Sequence, residues 1–225
     1  RASQPNAQGV VLYQNDYEGK DWLKGFADVI GDKAKSMIVT RVSYEVTDPT
    51  VDSQIVTLKA SGADVFFSVT TPKFAAQSIK KVAELQWKPL FLLNNVGAST
   101  GTVLKPAGYE NSQDIISVAY LKDATDPQWK DDAGIKAFDA FLAKWFTEGN
   151  RADGSVAVGY GVAQTLVEVL KACGDDLTRE NVMKQAANIK GLKLDIALPG
   201  VKITTGPHVV GPVAQPHTTR VKAAR

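Results

Sequence analysis

Hydrophobic and polar positions alternate between two rhythms over the first 120 residues. Five short runs, GVVLY (9–13), MIVTRVSY (37–44), ADVFFSV (63–69), KPLFLLN (88–94) and DIISVAY (114–120), are rich in the branched and aromatic side chains that suit a pleated core. Between them apolar residues recur at helical spacing, with Trp22, Phe26, Val29 and Ile30 in one stretch and Phe74, Ile79, Val82 and Leu85 in another. Residues 47–62 carry their own punctuation: Asp48 as N-cap, Pro49 in the first turn and Gly62 as the stop. Strands separated by helices of about ten to fifteen residues require crossover connections and a parallel sheet covered on both faces. The pattern over 9–120 therefore predicts one doubly wound α/β unit.

The rhythm then changes. LKDATDPQWKDD (121–132) is a polar, proline-containing connection, and three helical stretches follow without an intervening strand: 133–147, 155–173 and 178–189. Thr178 is placed to cap the last, with Asn181 rather than a glutamate at the third helical position. Phe138, Phe141, Leu142 and Trp145 form a stripe expected to be core. Only residues 192–205 offer extended structure, so these helices lack a sheet of their own to cover. They read as the outer layer of a domain whose strands lie elsewhere.

Composition narrows the class. The chain has 225 residues, 44% hydrophobic and 22% charged, with a formal net charge of +2, the make-up of a globular protein with no excess charge aimed at nucleic acid or an anionic membrane. Its single cysteine, Cys173, sits in an apolar run and reads as a small buried hydrophobe. No apolar stretch is expected to approach the ~20 residues of a membrane span. The chain opens on Arg1 without a signal-peptide pattern, which reads as a chain that is processed, trimmed or cut from something longer. After Asp195 there is no acidic residue, and both histidines fall within 206–225, read as a poorly ordered or aberrant tail.

Ligands of an open parallel sheet bind beyond the carboxyl ends of its strands. That rule selects Gln14 to Tyr17, Ser68 to Thr71, Asn94 to Ser99, and Tyr120, a set of amides, hydroxyls and aromatic rings suited to orienting a small polar or aromatic molecule. Each residue alone also reads as ordinary turn chemistry. Gly97, Ala98, Ser99, Thr100 and Gly101 match a nucleophile elbow, but three residues separate them from the strand and the only histidines lie in the tail. No dinucleotide or phosphate-loop fingerprint follows a strand, and one cysteine with two tail histidines makes no metal ligand set. No cofactor or metal is expected.

The stretches LYQNDYEGKDWLKGF, SYEVTDPTVDSQIVTLKASGADVFF, TPKFAAQSIKKVAELQWKPLFLLNNV, VLKPAG, AYLKDATDPQW and GDDLTRENVMKQAANIKGL resemble the substrate-binding proteins of branched-chain amino-acid-type ABC transporters, the type I periplasmic binding protein fold. The resemblance covers about residues 9–205. It implies a non-catalytic, periplasmic or extracytoplasmic protein whose two α/β lobes close on a small organic solute and deliver it to a membrane permease. It assigns residues 1–121 to lobe two, 122–205 to the crossover and the helical part of an incomplete lobe one, and 206–225 to the tail. Carried over by position, it implies ligand contacts from Tyr17, Thr70, Thr71, Asn94, Asn95 and Val96. Here Tyr17 is displaced by one residue relative to the family pattern, with Glu18 in its place. Asn94 and Asn95 stand where amino-acid binders place a glutamate for the substrate ammonium, which implies a solute without that group: a small carboxylate, an aromatic acid or an amide. The alternatives are a ligand-sensing domain of a regulator with the same fold and a serine hydrolase using Ser99.

Overall fold

The computed structural model describes residues 7–206, 213, 214 and 216–222. It divides into two compact units, residues 1–118 with 218–225 and residues 119–217.

The first unit is the α/β layer expected from the sequence. Strand β1 (Gly9–Gln14) leads to α1 (Tyr17–Ile30), a short α2 (Ala34–Met37) and β2 (Ile38–Tyr44). Then come α3 (Asp52–Ala60), β3 (Val65–Val69), α4 (Pro72–Glu84), β4 (Leu90–Leu93), α5 (Lys105–Ala107) and β5 (Ile116–Ala119). The sheet order is β2-β1-β3-β4-β5, with every neighbouring pair parallel. Alternation along the strands separates two cores. Val10, Leu12, Phe66, Phe91 and Leu93 pack with α3 and α4, while Val11, Phe67 and Val69 face Trp22, Leu23 and Phe26 of α1.

One local expectation is corrected. Asp48 does not cap α3: it turns back to accept from the Glu45 amide at 2.9 Å, and the helix starts at Asp52, whose amide donates to Thr50 Oγ1. A short polar side chain that satisfies its own turn cannot also serve a helix four residues on. Gly62 does end the segment after α3, with φ +74°. The TVLK stretch forms a π-helical turn, Thr100–Leu104, running into α5.

The second unit holds α6 (Ala133–Trp145), α7 (Gly154–Cys173) and α8 (Arg179–Ala186), followed by β6 (Lys202–Ile203) and β7 (Val213–Ala214), which pair antiparallel. Asp132, Asp153 and Thr178 cap the three helices. Phe138 and Leu142 are buried with Ile135 and Ile196 as expected, and Cys173 is buried. Phe141 and Trp145 are not core: both are exposed, Trp145 to 68%. By length and composition α7 is apolar enough to cross a membrane, with a mean hydropathy of 1.3. That corrects the expectation that no stretch reaches span length, because its valines and leucines keep the average up across the glycines and polar residues between them.

The stretch 206–225 contains extended structure among its described residues. Val213–Ala214 pairs with β6, and β8 (His217–Arg220) lies beside β5 at the edge of the large sheet. Val221 exchanges backbone hydrogen bonds with Asp114 and Ile115 at 3.0 and 2.9 Å, and its side chain packs on the core. An unpaired sheet edge accepts any nearby segment able to complete its hydrogen bonds. The rest of the tail, like residues 1–6, falls outside the described residues.

Candidate functional site

Four parallel strands end at one side of the first unit, and a recess opens there. Its lining comes from Gln14 at the end of β1, Asp16 to Gly19 without Tyr17 in the turn into α1, Tyr44 closing β2, Val69 to Thr71 after β3, and Asn94 with Val96 after β4. The space has a cavity volume of about 10 Å³, room for about one water. Ligand pockets run to ~300–1,000 Å³, so this surface is a wall and encloses nothing by itself.

Each lining group is held by a local cause. Asp16 caps α1, its Oδ1 accepting from the Gly19 amide at 2.8 Å and its Oδ2 from Gln14 Nε2. The Gly19 hydrogen bond, helped by Gln14, holds the Asp16 carboxyl below the ordinary carboxylate range. Gly19 is obligatory, since a Cβ there would sit 2.0 Å from the Gln14 carbonyl oxygen. The strand end and the helix start thus touch at backbone level.

Tyr44 is the organising side chain. Its ring is buried against Phe74, with centroids 4.3 Å apart. Its hydroxyl accepts from the Thr71 amide at 3.0 Å and donates to Gln14 Oε1 at 3.2 Å. Burial raises the phenol pKa above its usual value, so the hydroxyl stays protonated. Tyr44 therefore links the ends of β1, β2 and β3. Its sequence signal was faint: an aromatic residue closing a strand, which equally reads as core.

The hydroxyls after β3 divide by partner. Ser68 and Thr70 are buried and bond each other at 2.9 Å. Thr71 stands at the start of α4 with its side chain outside any capping bond, and Pro72 occupies the first turn. Asn94 is 4% exposed; its Oδ1 accepts from the Thr70 amide at 3.4 Å and its backbone amide donates to Ser68 O at 3.1 Å. Gly97 packs against it, a Cβ there meeting Asn94 Oδ1 at 2.9 Å. The arrangement offers amide and hydroxyl groups beside the carboxylates of Asp16 and Glu18.

Of the residues expected from the sequence, Thr70, Thr71, Asn94 and Val96 line the recess together. Tyr17 does not: it is 90% exposed on the first turn of α1. Asn95 is half-buried in the turn Asn95–Ala98, beside the lining. Tyr120, also selected from the sequence, lies in the second unit, where its carbonyl accepts from the Leu198 amide at 3.0 Å. Ser99 has ordinary extended backbone, φ −60° and ψ 124°, and a separate turn divides it from β4. The strained strand-to-helix corner that exposes a nucleophile is not formed there.

Residues 2–215 match the family model described as periplasmic binding protein. No curated protein matches the sequence. Among solved structures, a substrate-binding periplasmic protein from Ralstonia solanacearum is similar at 21% identity and TM-score 0.72, over 92% of this chain and 59% of that one. A solute-binding ABC transporter protein from Rhodopseudomonas palustris, in complex with benzoate, is similar at 18% identity and TM-score 0.73, over 97% and 56%. A branched-chain amino acid ABC transporter protein from Thermus thermophilus with bound valine aligns at 14% identity and TM-score 0.70, over 89% and 53%. The chain thus spans between half and three-fifths of the length of these three proteins.

Proposed function

The chain belongs to the periplasmic binding protein family, and we propose that it acts, in the periplasm, as the solute-capturing part of an ABC transporter that hands its solute to a membrane permease. The recess is one wall of the capture site, and the opposite wall comes from chain that the relatives have beyond this one's span. In this reading Thr70, Thr71, Asn94 and Val96 make the floor, with Tyr17 and Asn95 at its edge. Binding is non-catalytic: Ser99 lacks the elbow geometry, and a ligand-sensing role would use the same wall.

The solute favoured is a small organic acid or amide without an ammonium group. The supporting observation is Asn94, nearly buried on the floor, an uncharged amide that can hydrogen-bond a carbonyl or carboxylate but cannot neutralise a buried cation. A second reading is an amino acid, favoured by the carboxylates of Asp16 and Glu18 on the same lining. Asp16 already receives one hydrogen bond on each oxygen, so half of its acceptor sites are committed within the protein.

Amide chemical shifts of the isotope-labelled chain, titrated with benzoate and with valine to roughly tenfold above a millimolar Kd, separate the two. Benzoate is expected to move Gly19, Thr71 and Asn94, with valine weaker. Valine moving them more strongly sinks the acid reading, and shifts confined to other surfaces sink the site.

A further inference from the structure

Two side chains on the recess have hydrogen-bonding capacity that the protein does not use. Glu18 lines it, exposed on the first turn of α1, and among the described residues its carboxylate has no hydrogen bond or ion pair. It stands where the family pattern has a tyrosine, so its contribution is particular to this chain. Asn94 is nearly buried with its Oδ1 turned inward, accepting from the Thr70 amide at 3.4 Å and packed so that a Cβ on Gly97 would meet it at 2.9 Å. Its Nδ2 group has no partner among the described residues, which leaves a donor for a ligand. Charge on the lining is all of one sign. Asp16 lines the recess with Glu18, and among the described residues no lysine, arginine or histidine does so; Lys20, exposed nearby on α1, is outside the lining. After burial, the larger cause, both carboxylates oppose ionisation of the Tyr44 hydroxyl through space, so their negative potential reaches across the recess.

We propose that Glu18 sets the specificity of this wall and that the solute is a small neutral carboxamide, its NH2 group on the Glu18 carboxylate and its carbonyl oxygen on Asn94 Nδ2. The proposal rests on the solute reading above and narrows it from acid or amide to amide. A carboxylate offers acceptors and no donor. It can occupy Asn94 Nδ2 but leaves Glu18 facing a like charge, and such a pair about 4 Å apart in water weakens binding about fivefold. A carboxamide presents an acceptor and two donors in one plane, so it meets both residues and brings no charge. A simple amine satisfies Glu18 alone and leaves Asn94 Nδ2 without an acceptor. An α-amino acid meets both only by bringing its carboxylate beside Asp16 and Glu18.

The test titrates the isotope-labelled chain with benzamide, benzoate and valine, reading an apparent Kd at the Gly19, Thr71 and Asn94 amides. Benzamide and benzoate share a ring and differ in the charge and donors offered to Glu18. In ~0.01 M NaCl wild type is expected to hold benzamide about fivefold more tightly than benzoate. Glu18→Gln, which keeps an acceptor and removes the charge, is expected to bring the two within about twofold. In ~1 M NaCl, where the Debye length falls to ~3 Å, wild type is expected to hold benzoate within about twofold of benzamide. The salt series uses wild type alone and stands whether or not the variant folds. Benzoate binding wild type at low salt as tightly as benzamide overturns the proposal, as does an unchanged ratio in the variant or benzoate binding that salt does not strengthen. Benzoate tighter than benzamide, with both tighter than valine, overturns the amide selection and leaves the solute reading standing. Valine tighter than either, or no shift at the three amides, overturns both.

Discussion

A single atom decides the start of α1. At Gly19 any side chain would overlap the Gln14 carbonyl, with the Cβ 2.0 Å from its oxygen, and the backbone at a helix start has little room to yield. Gly19→Ala is expected to cost about 2–3 kcal/mol, read as a lower urea midpoint at unchanged slope. Tyr44→Phe keeps the ring against Phe74 but leaves the part-buried Thr71 amide without this acceptor. It is expected to cost about 1–2 kcal/mol and to shift the Thr71 and Gln14 signals while leaving those of α6 in place. A structure unchanged around Thr71 would contradict the organising role given to this hydroxyl. The glycine was visible in the sequence only as one letter of a family pattern. Tyr44 was not selected at all, because a hydroxyl that joins three strand ends has no local signature.

Capping was legible at Thr178, where the sequence places it, and was the source of an error at Asp48. Asp132, Asp153 and Thr178 sit one residue before their helices and accept from their first turns, while Asp48 has the same chemistry and a different partner. Asp132 also receives Lys122 Nζ on both oxygens at 2.8 Å, and Lys122 donates to the Asp195 carbonyl as well. The Lys122 ammonium holds the Asp132 carboxyl below its usual range against the opposing effect of burial. Because the folded value lies below the unfolded one, this contribution is complete above the unfolded pKa of ~3.9 and fades as pH falls through the folded value. Asp132→Ala is expected to cost about 3 kcal/mol at neutral pH by stranding a nearly buried ammonium and removing a cap. Melting curves from pH 6 to pH 2 should show the variant losing less stability on acidification than wild type; parallel curves would place the acid sensitivity elsewhere.

At the scale of the whole molecule, a wall without its opposite face binds weakly. The 225-residue chain is expected to hold its solute with a Kd of about 1 mM or weaker, and calorimetry finding a micromolar one-to-one complex would contradict the one-wall reading. The order of strands and helices was legible because the two hydrophobic periods, 2 and 3.6, are written locally, and so was the edge of the sheet where Thr70, Thr71 and Asn94 would meet. Other features depended on partners distant in sequence. Tyr17 stands one residue from a ligand-facing pattern position and points to solvent, Phe141 and Trp145 keep core spacing yet remain exposed, and a segment with the composition of a loose tail supplies an edge strand through Val221 and Asp114. The sequence by itself determined the α/β class and the family. The tertiary structure decided which side chains face the recess and which faces remain uncovered, because burial belongs to what packs against a residue and not to the residue.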